Sequence, residues 1–248
     1  MIDFEPMEEQ ALVVETVRQF AENEIRPVAR AAEEAKAPAT EAIRAAHELG
    51  LVSNGLPTEH GGGGERSAVL GALVAEELGW GDLATALAIL SPALVAFPLA
   101  DFGSAAQQAG LARYAGADFA SGSLALVEPD FGADPFRPRT QAKPDGDLWV
   151  LDGQKCLVPW LPGGSEVLVL ADDGGTACGF LVPRDAAGLV ATSEAYMGIQ
   201  ALPTVGLTLQ GVRVPRSVSR VTIRARDSVH GYGGDEGIRA RAAAEIDH

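Results

Sequence analysis

The sequence predicts an α+β protein: an N-terminal all-α domain, then a small antiparallel β-barrel domain, then a short helical C-terminal tail. Three observations carry this reading. Apolar residues recur at helical spacing through the first part of the chain. After Gly122 the pattern changes to short β-rich runs divided by Gly, Pro and Asp. From Arg216 the chain is charged, punctuated by glycine and too short to form a packed domain of its own. The corresponding divisions are 1–120, 121–215 and 216–248.

The first helix is expected from Glu8 to Val28, where Leu12, Val13, Val17, Phe20, Ala21 and Ile25 share one face; Pro27 should disturb its last turn. A second is expected from Thr40 to Leu49, stopped by Gly50. The stretch from Gly50 to Gly64 reads as a loop. Two Ala- and Leu-rich helices follow, Ser67–Leu78 and Leu83–Phe97, the latter kinked at Pro92, and a fifth covers Ser104–Tyr114. Six strands are then expected from LALV, LWVLDGQKCLV, EVLVLA, CGFLVP, GLVAT and VGLTLQGVRV, with a hairpin turn at Ala171–Ala177. In the tail, Glu236–Ile246 has helical composition.

Composition narrows the function. With 248 residues, 47% hydrophobic and 21% charged, the chain has the make-up of a globular protein. A net charge of −15 repels a polyphosphate backbone, which argues against nucleic acid as a partner. The longest apolar stretch, Leu83 to Ala100, follows Asp82 and is interrupted by Ser91, Pro92 and Pro98, so no membrane span is expected. Met1–Gln10 is acidic and lacks the layout of a secretory signal, which makes a cytoplasmic location the expectation. Cys156 and Cys178 fall in predicted strands without metal or redox spacing and read as reduced thiols.

Several chemistries find little support. Gly61–Gly64 neither follows a predicted strand nor carries the Lys-Ser/Thr of a phosphate loop. His47, His60, His230 and His248 lack ligand spacing, so no metal is proposed. No serine sits in a nucleophile elbow, and neither cysteine has an evident histidine partner.

Four phrases in order are more specific: LALVEPDFGADPFRPRT, WVLDGQKCLVPW, GFLVPRDAAGL and MGIQALPTVGLTLQGVRVP. Within them Glu128-Pro129, Gly132, Asp134 and Thr140 match a Glu-Pro-x-x-Gly-Ser-Asp phrase with its later Thr. Leu151, Gly153 and Lys155 match a Leu-x-Gly-x-Lys hairpin. With EELG at Glu76–Gly79 and the EHGGGG loop, the chain from Glu8 to Pro215 resembles the acyl-CoA dehydrogenases, flavoenzymes that introduce an α,β double bond into acyl thioesters.

The resemblance implies FAD as cofactor and an acyl-CoA thioester as substrate. A carboxylate takes the α-proton, hydrogen bonds to the thioester oxygen stabilise the enolate, and the β-hydride passes to the flavin. It implies cofactor contacts at Leu126, Val127, Leu157, Val158 and Pro159, and substrate contacts at Ala133 and Asp134. Several of these depart from the family. Val127 stands where a Thr is common, Ala133 replaces the Ser of Ser-Asp, and Leu157-Val158-Pro159 replaces Trp-Ile-Ser/Thr.

The family's catalytic base lies in a C-terminal helical bundle that is not recognisable after Pro215, so no catalytic residue is assigned. HGYGGDEG at His230–Gly237 faintly matches a loop near the end of that bundle. The resulting expectation is an acyl-CoA dehydrogenase-like flavoprotein, incomplete alone, that forms a homo- or hetero-oligomer with a full-length homologue covering its apolar surfaces. A non-catalytic acyl-CoA-binding or scaffold protein is the alternative.

Overall fold

The computed structural model describes residues 8–222. The tail phrases around His230 and Glu236 lie outside the described residues.

Helix α1 (Glu8–Phe20) does not stop at Pro27. It passes through one π-helical turn, Ala21–Ile25, into α2 (Arg26–Ala35), where Pro27 occupies the first turn. The wide turn shifts the hydrogen-bond register ahead of the residue that has no N–H to give. It also lets helix α4 (Ala68–Gly81) approach closely, since a Cβ on Gly81 would lie 3.0 Å from Ile25 Cγ2. Lys36, in the left-handed conformation, then ends α2.

Helices α3 (Thr40–Glu48), α4 (Ala68–Gly81), α5 (Leu83–Leu90) and α6 (Ala93–Phe102) build the remaining helical layer. The Ser67 hydroxyl accepts from Leu70 N at the start of α4, and Asp82 accepts from Thr85 N at the start of α5. The predicted Ser104–Tyr114 helix is a short α7 (Ala105–Gln108) that tightens into a 3₁₀ segment, Ala109–Tyr114. Ser104 and Gln107 form a reciprocal capping box there.

The stretch Leu83–Phe102 is long and apolar enough to cross a membrane by length and composition, yet more than half of its most apolar part is buried inside the protein. Ala84, Ala86, Ala88 and Ile89 belong to the helical core, which marks it as a core helix pair with one open side. The glycine loop is spent on itself. Gly62 N and Gly64 N donate to Pro57 O and Leu56 O, and a Cβ on Gly62 would meet Leu56 O at 2.1 Å.

Among the described residues the β-region is one mixed eight-stranded sheet in the order β6 (Leu189–Ser193), β7 (Thr204–Pro215), β3 (Leu148–Pro159), β2 (Gln141–Asp145), β4 (Glu166–Asp172), β5 (Ala177–Pro183) and β8 (Arg220–Val221), with β1 (Leu124–Ala125) beside β4. The antiparallel barrel expected from the sequence needs this correction, because β1 and β2 (Gln141–Asp145) each run parallel to β4. The long strands β3 (Leu148–Pro159) and β7 (Thr204–Pro215) pair antiparallel, as do β4 with β5 (Ala177–Pro183) and β7 with β6 (Leu189–Ser193). After α8 (Arg216–Ser219), β8 (Arg220–Val221) closes on β5.

Alternation along β3 and β7 sends Trp149, Leu151, Val158, Leu207, Leu209 and Val212 inward to one core. A second core joins the layers, with Val95, Leu99 and Leu111 from the helices packed on Leu168, Leu181 and Val221. Gly122, where a Cβ would lie 2.3 Å from Ser91 O, brings the α5–α6 joint against the entry to β1.

Candidate functional site

The site is built where the chain leaves β1 and where β3 bulges. Beyond Ala125 the chain stays beside β3, with Cys156 N donating to Val127 O at 3.0 Å. Glu128 then turns inward. Its Oε1 accepts from Lys155 Nζ at 2.8 Å, Thr140 N at 2.9 Å and Thr140 Oγ1 at 2.7 Å, and its Oε2 accepts from Arg139 N at 2.8 Å. Lys155, 1% exposed, also reaches Leu126 O at 3.4 Å.

Burial alone would raise the Glu128 carboxyl, but the bond from Lys155 and those from Thr140 and Arg139 outweigh it and hold the group at about 2. The Lys155 ammonium is pushed below its ordinary value, mainly by burial, with Glu128 opposing. The hairpin glycine has a steric reason here: a Cβ on Gly153 would fall 2.5 Å from Thr140 Oγ1. The matched Glu, Thr, Gly and Lys are therefore one structural lock.

Between Lys155 and Val158 the β3–β7 register shifts. The bulge places Leu157 in the left-handed region at φ 58° and turns its side chain out, 47% exposed. Leu157 N donates to Glu194 Oε2 at 2.9 Å. Tyr196, on the loop after β6, is pushed up to about 12 by burial and by its hydrogen bond to Glu194 and that group's charge. Neither Glu194 nor Tyr196 stands out in the sequence, because only the bulge and the β6–β7 loop bring them beside Leu157.

The residues expected at a cofactor divide. Val127 and Leu157 face outward together, Leu126 and Pro159 are half-buried, and Val158 points into the sheet core with no exposure. Ala133 and Asp134 are exposed on the loop between Glu128 and Thr140, where Asp134 Oδ1 accepts from Phe136 N. Phe131, Phe136, Met197 and Ile199 are also exposed on the surrounding loops.

The side chains of Val127, Leu157 and Pro159 bring no donor to the polar edge of a flavin, which leaves the Leu126 amide as the backbone donor of this set. Pro159 also has no N–H. The amides of Cys156, Leu157 and Trp160 are already engaged by Val127 O, Glu194 and Pro203 O. What the chain itself offers is an apolar wall with a carboxylate behind it.

The structure thus sets a helical layer against a mixed sheet, with a Glu–Lys lock between the end of β1 and β3. Residues 7–115 match the acyl-CoA dehydrogenase N-terminal domain. The chain is 32% identical over 222 residues to a probable acyl-CoA dehydrogenase, YngJ, of Bacillus subtilis, covering 86% of this chain and 58% of that protein. It is 30% identical over 217 residues to the mitochondrial short-chain specific acyl-CoA dehydrogenase of Rattus norvegicus, covering 84% of this chain and 52% of that one. The crystal structure of a Mycobacterium smegmatis glutaryl-CoA dehydrogenase in complex with FADH2 superposes with a TM-score of 0.78 at 29% identity, over 88% of this chain and 57% of that chain. The protein belongs to the acyl-CoA dehydrogenase family. It spans little more than half the length of these relatives.

Proposed function

We propose that this protein serves the α,β-dehydrogenation of acyl-CoA thioesters in the cytoplasm, as an oxidoreductase subunit that works with a second, full-length member of its family. In this reading 1–120 and 121–215 act as helical and β-domains, and 216–248 is a tail. The carrying observation is the contrast at the site. The Glu128–Thr140–Lys155 lock keeps β1 and β3 in the arrangement of the family phrases, while the face beyond it has lost side-chain donors at Val127, Leu157 and Pro159.

FAD supplies hydride acceptance when bound, and the donors for it and the proton-accepting carboxylate come from the partner. No redox step is assigned to this chain alone. Its own contribution is an apolar surface for the acyl group and for the partner. Leu83, Leu87, Leu90 and Leu94 recur at intervals of four, three and four along α5 and α6, with Leu83 52% and Leu87 40% exposed. Met197, 100% exposed, extends the apolar character beside the site.

The donor-free face also favours a second reading, a non-catalytic acyl-CoA-binding or scaffold protein. Acyl-CoA-dependent reduction of an electron-accepting dye separates the two. The complex co-purified with a full-length homologue should turn over faster than the homologue alone. Equal rates, with acyl-CoA still bound by this chain, would leave the binding role.

A further inference from the structure

The sheet ends on one side at β6, which pairs with β7 and, among the described residues, has no strand on its other side. Two bonds fix which of its backbone groups are spent on β7: Gln210 N donates to Gly188 O and Glu194 N to Thr204 O, both at 3.0 Å. With Val190 opposite Thr208 and Thr192 opposite Gly206 between them, the even-numbered residues exchange their bonds with β7. The N–H and C=O groups of Ala191 and Ser193, and the C=O of Leu189, therefore point away from the sheet, while Leu189 N is turned back on Ala186 O.

This edge lacks the devices that keep sheet edges apart. Leu189–Ser193 carries no charge, no proline and no bulge against β7, and every residue after Leu189 is exposed, Val190 at 53%. The opposite edge is guarded: β8 has only Arg220 and Val221, and the Arg220 guanidinium pairs with Asp173. In a chain of net charge −15, an uncharged strand lets a second copy approach with little repulsion.

The strand is also complementary to itself. Turned about a two-fold axis beside Ala191, a second β6 runs antiparallel to the first and presents the same free groups at the same phase. Ala191 N then donates to Ala191 O of the second copy and Ser193 N to Leu189 O, each bond made twice by symmetry. Val190 falls opposite Thr192 in the closer, non-hydrogen-bonded position, a favourable β-branched pair. The loop after β6, where Tyr196 and Met197 are exposed, comes beside Ala186–Gly188 of the other copy, a small and uncharged turn.

We propose that β6 pairs antiparallel with β6 of a second copy of this chain and joins the two sheets into one. The pairing stands apart from the acyl-CoA reading. Sedimentation equilibrium and hydrogen exchange of the full 248-residue chain test it. The 25.7 kDa chain should sediment as a dimer. The amides of Ala191 and Ser193 should exchange slowly in the dimer and faster on dilution, while those of Val190 and Thr192, bonded to β7, stay protected at both concentrations. Ala191→Pro removes an N–H that β7 does not use and should weaken the dimer about tenfold or more, the size of the hydrogen bonds lost at the axis. Val190→Glu, which touches no ladder bond, should weaken it as well, and both variants should keep the circular dichroism of the unaltered chain.

A monomer at every concentration, or a dimer that both variants leave unchanged, would overturn the proposal. Protection of Ala191 and Ser193 only in a complex with a full-length homologue would overturn the assignment to a second copy.

Discussion

Lys155 Nζ lies 2.8 Å from Glu128 Oε1, and both side chains are buried, at 0% and 7% exposure. This pair ties the end of β1 to the middle of β3 across the mouth of the candidate site. Two charges so far from water are stable only because each is matched, and because Thr140 and Arg139 fill the remaining acceptor positions.

Removing one partner should therefore cost more than removing both. Lys155→Met is expected to destabilise the fold by about 3–5 kcal/mol, through an uncompensated Glu128 carboxylate. Lys155→Met combined with Glu128→Gln should recover a substantial part. Urea denaturation of the two variants checks this, and equal losses would mean that the charge pair is not the source.

The same pair sets a pH dependence. Glu128 is held at about 2 in the folded protein against 4.5 as its ordinary value. Its contribution is thus fully present above its unfolded value and is lost as pH falls from there toward about 2. Glu128→Gln should flatten that part of the stability profile in acid denaturation, and an unchanged slope would count against the lock.

Gly153→Ala should destabilise by about 1–3 kcal/mol, because its methyl group would press on Thr140 and loosen the hydroxyl that serves Glu128. Thermal unfolding measures this. A neutral result would mean that β2 and β3 can move apart freely.

Leu157→Gly should act in the opposite direction. Leucine at φ 58° carries a left-handed strain of about 1–2 kcal/mol that glycine does not, and an exposed side chain gives up little packing. A gain of up to about 1 kcal/mol is expected in urea denaturation once glycine's greater unfolded-state entropy is set against the relief. A loss beyond that margin would mean that Leu157 is packed against something.

Much of the fold is legible in the sequence because periodicity and punctuation report local structure. Ser67, Asp82 and Ser104 announce helix starts that the structure realises as caps. Strand β2 was not legible: QAKPD is polar and contains Pro144, and it becomes a strand only through its pairing with β3. The mixed sense of the sheet was equally hidden, since it depends on where β1 and β2 land beside β4. The π-turn ahead of Pro27 answers to Gly81, a contact far away in the sequence.

Of the site, Glu128, Thr140, Gly153 and Lys155 could be read from the family phrases, but as matches and not as one hydrogen-bonded lock. The outward turn of Leu157, the inward position of Val158 and the approach of Glu194 follow from a bulge that leaves no mark in composition.

The most direct test of partner dependence is the flavin-to-chain ratio, read from visible absorbance, of this protein purified alone and in complex with a full-length homologue. The expected result is little flavin alone and, in the complex, more than the homologue carries by itself. Stoichiometric FAD on the chain purified alone would contradict it.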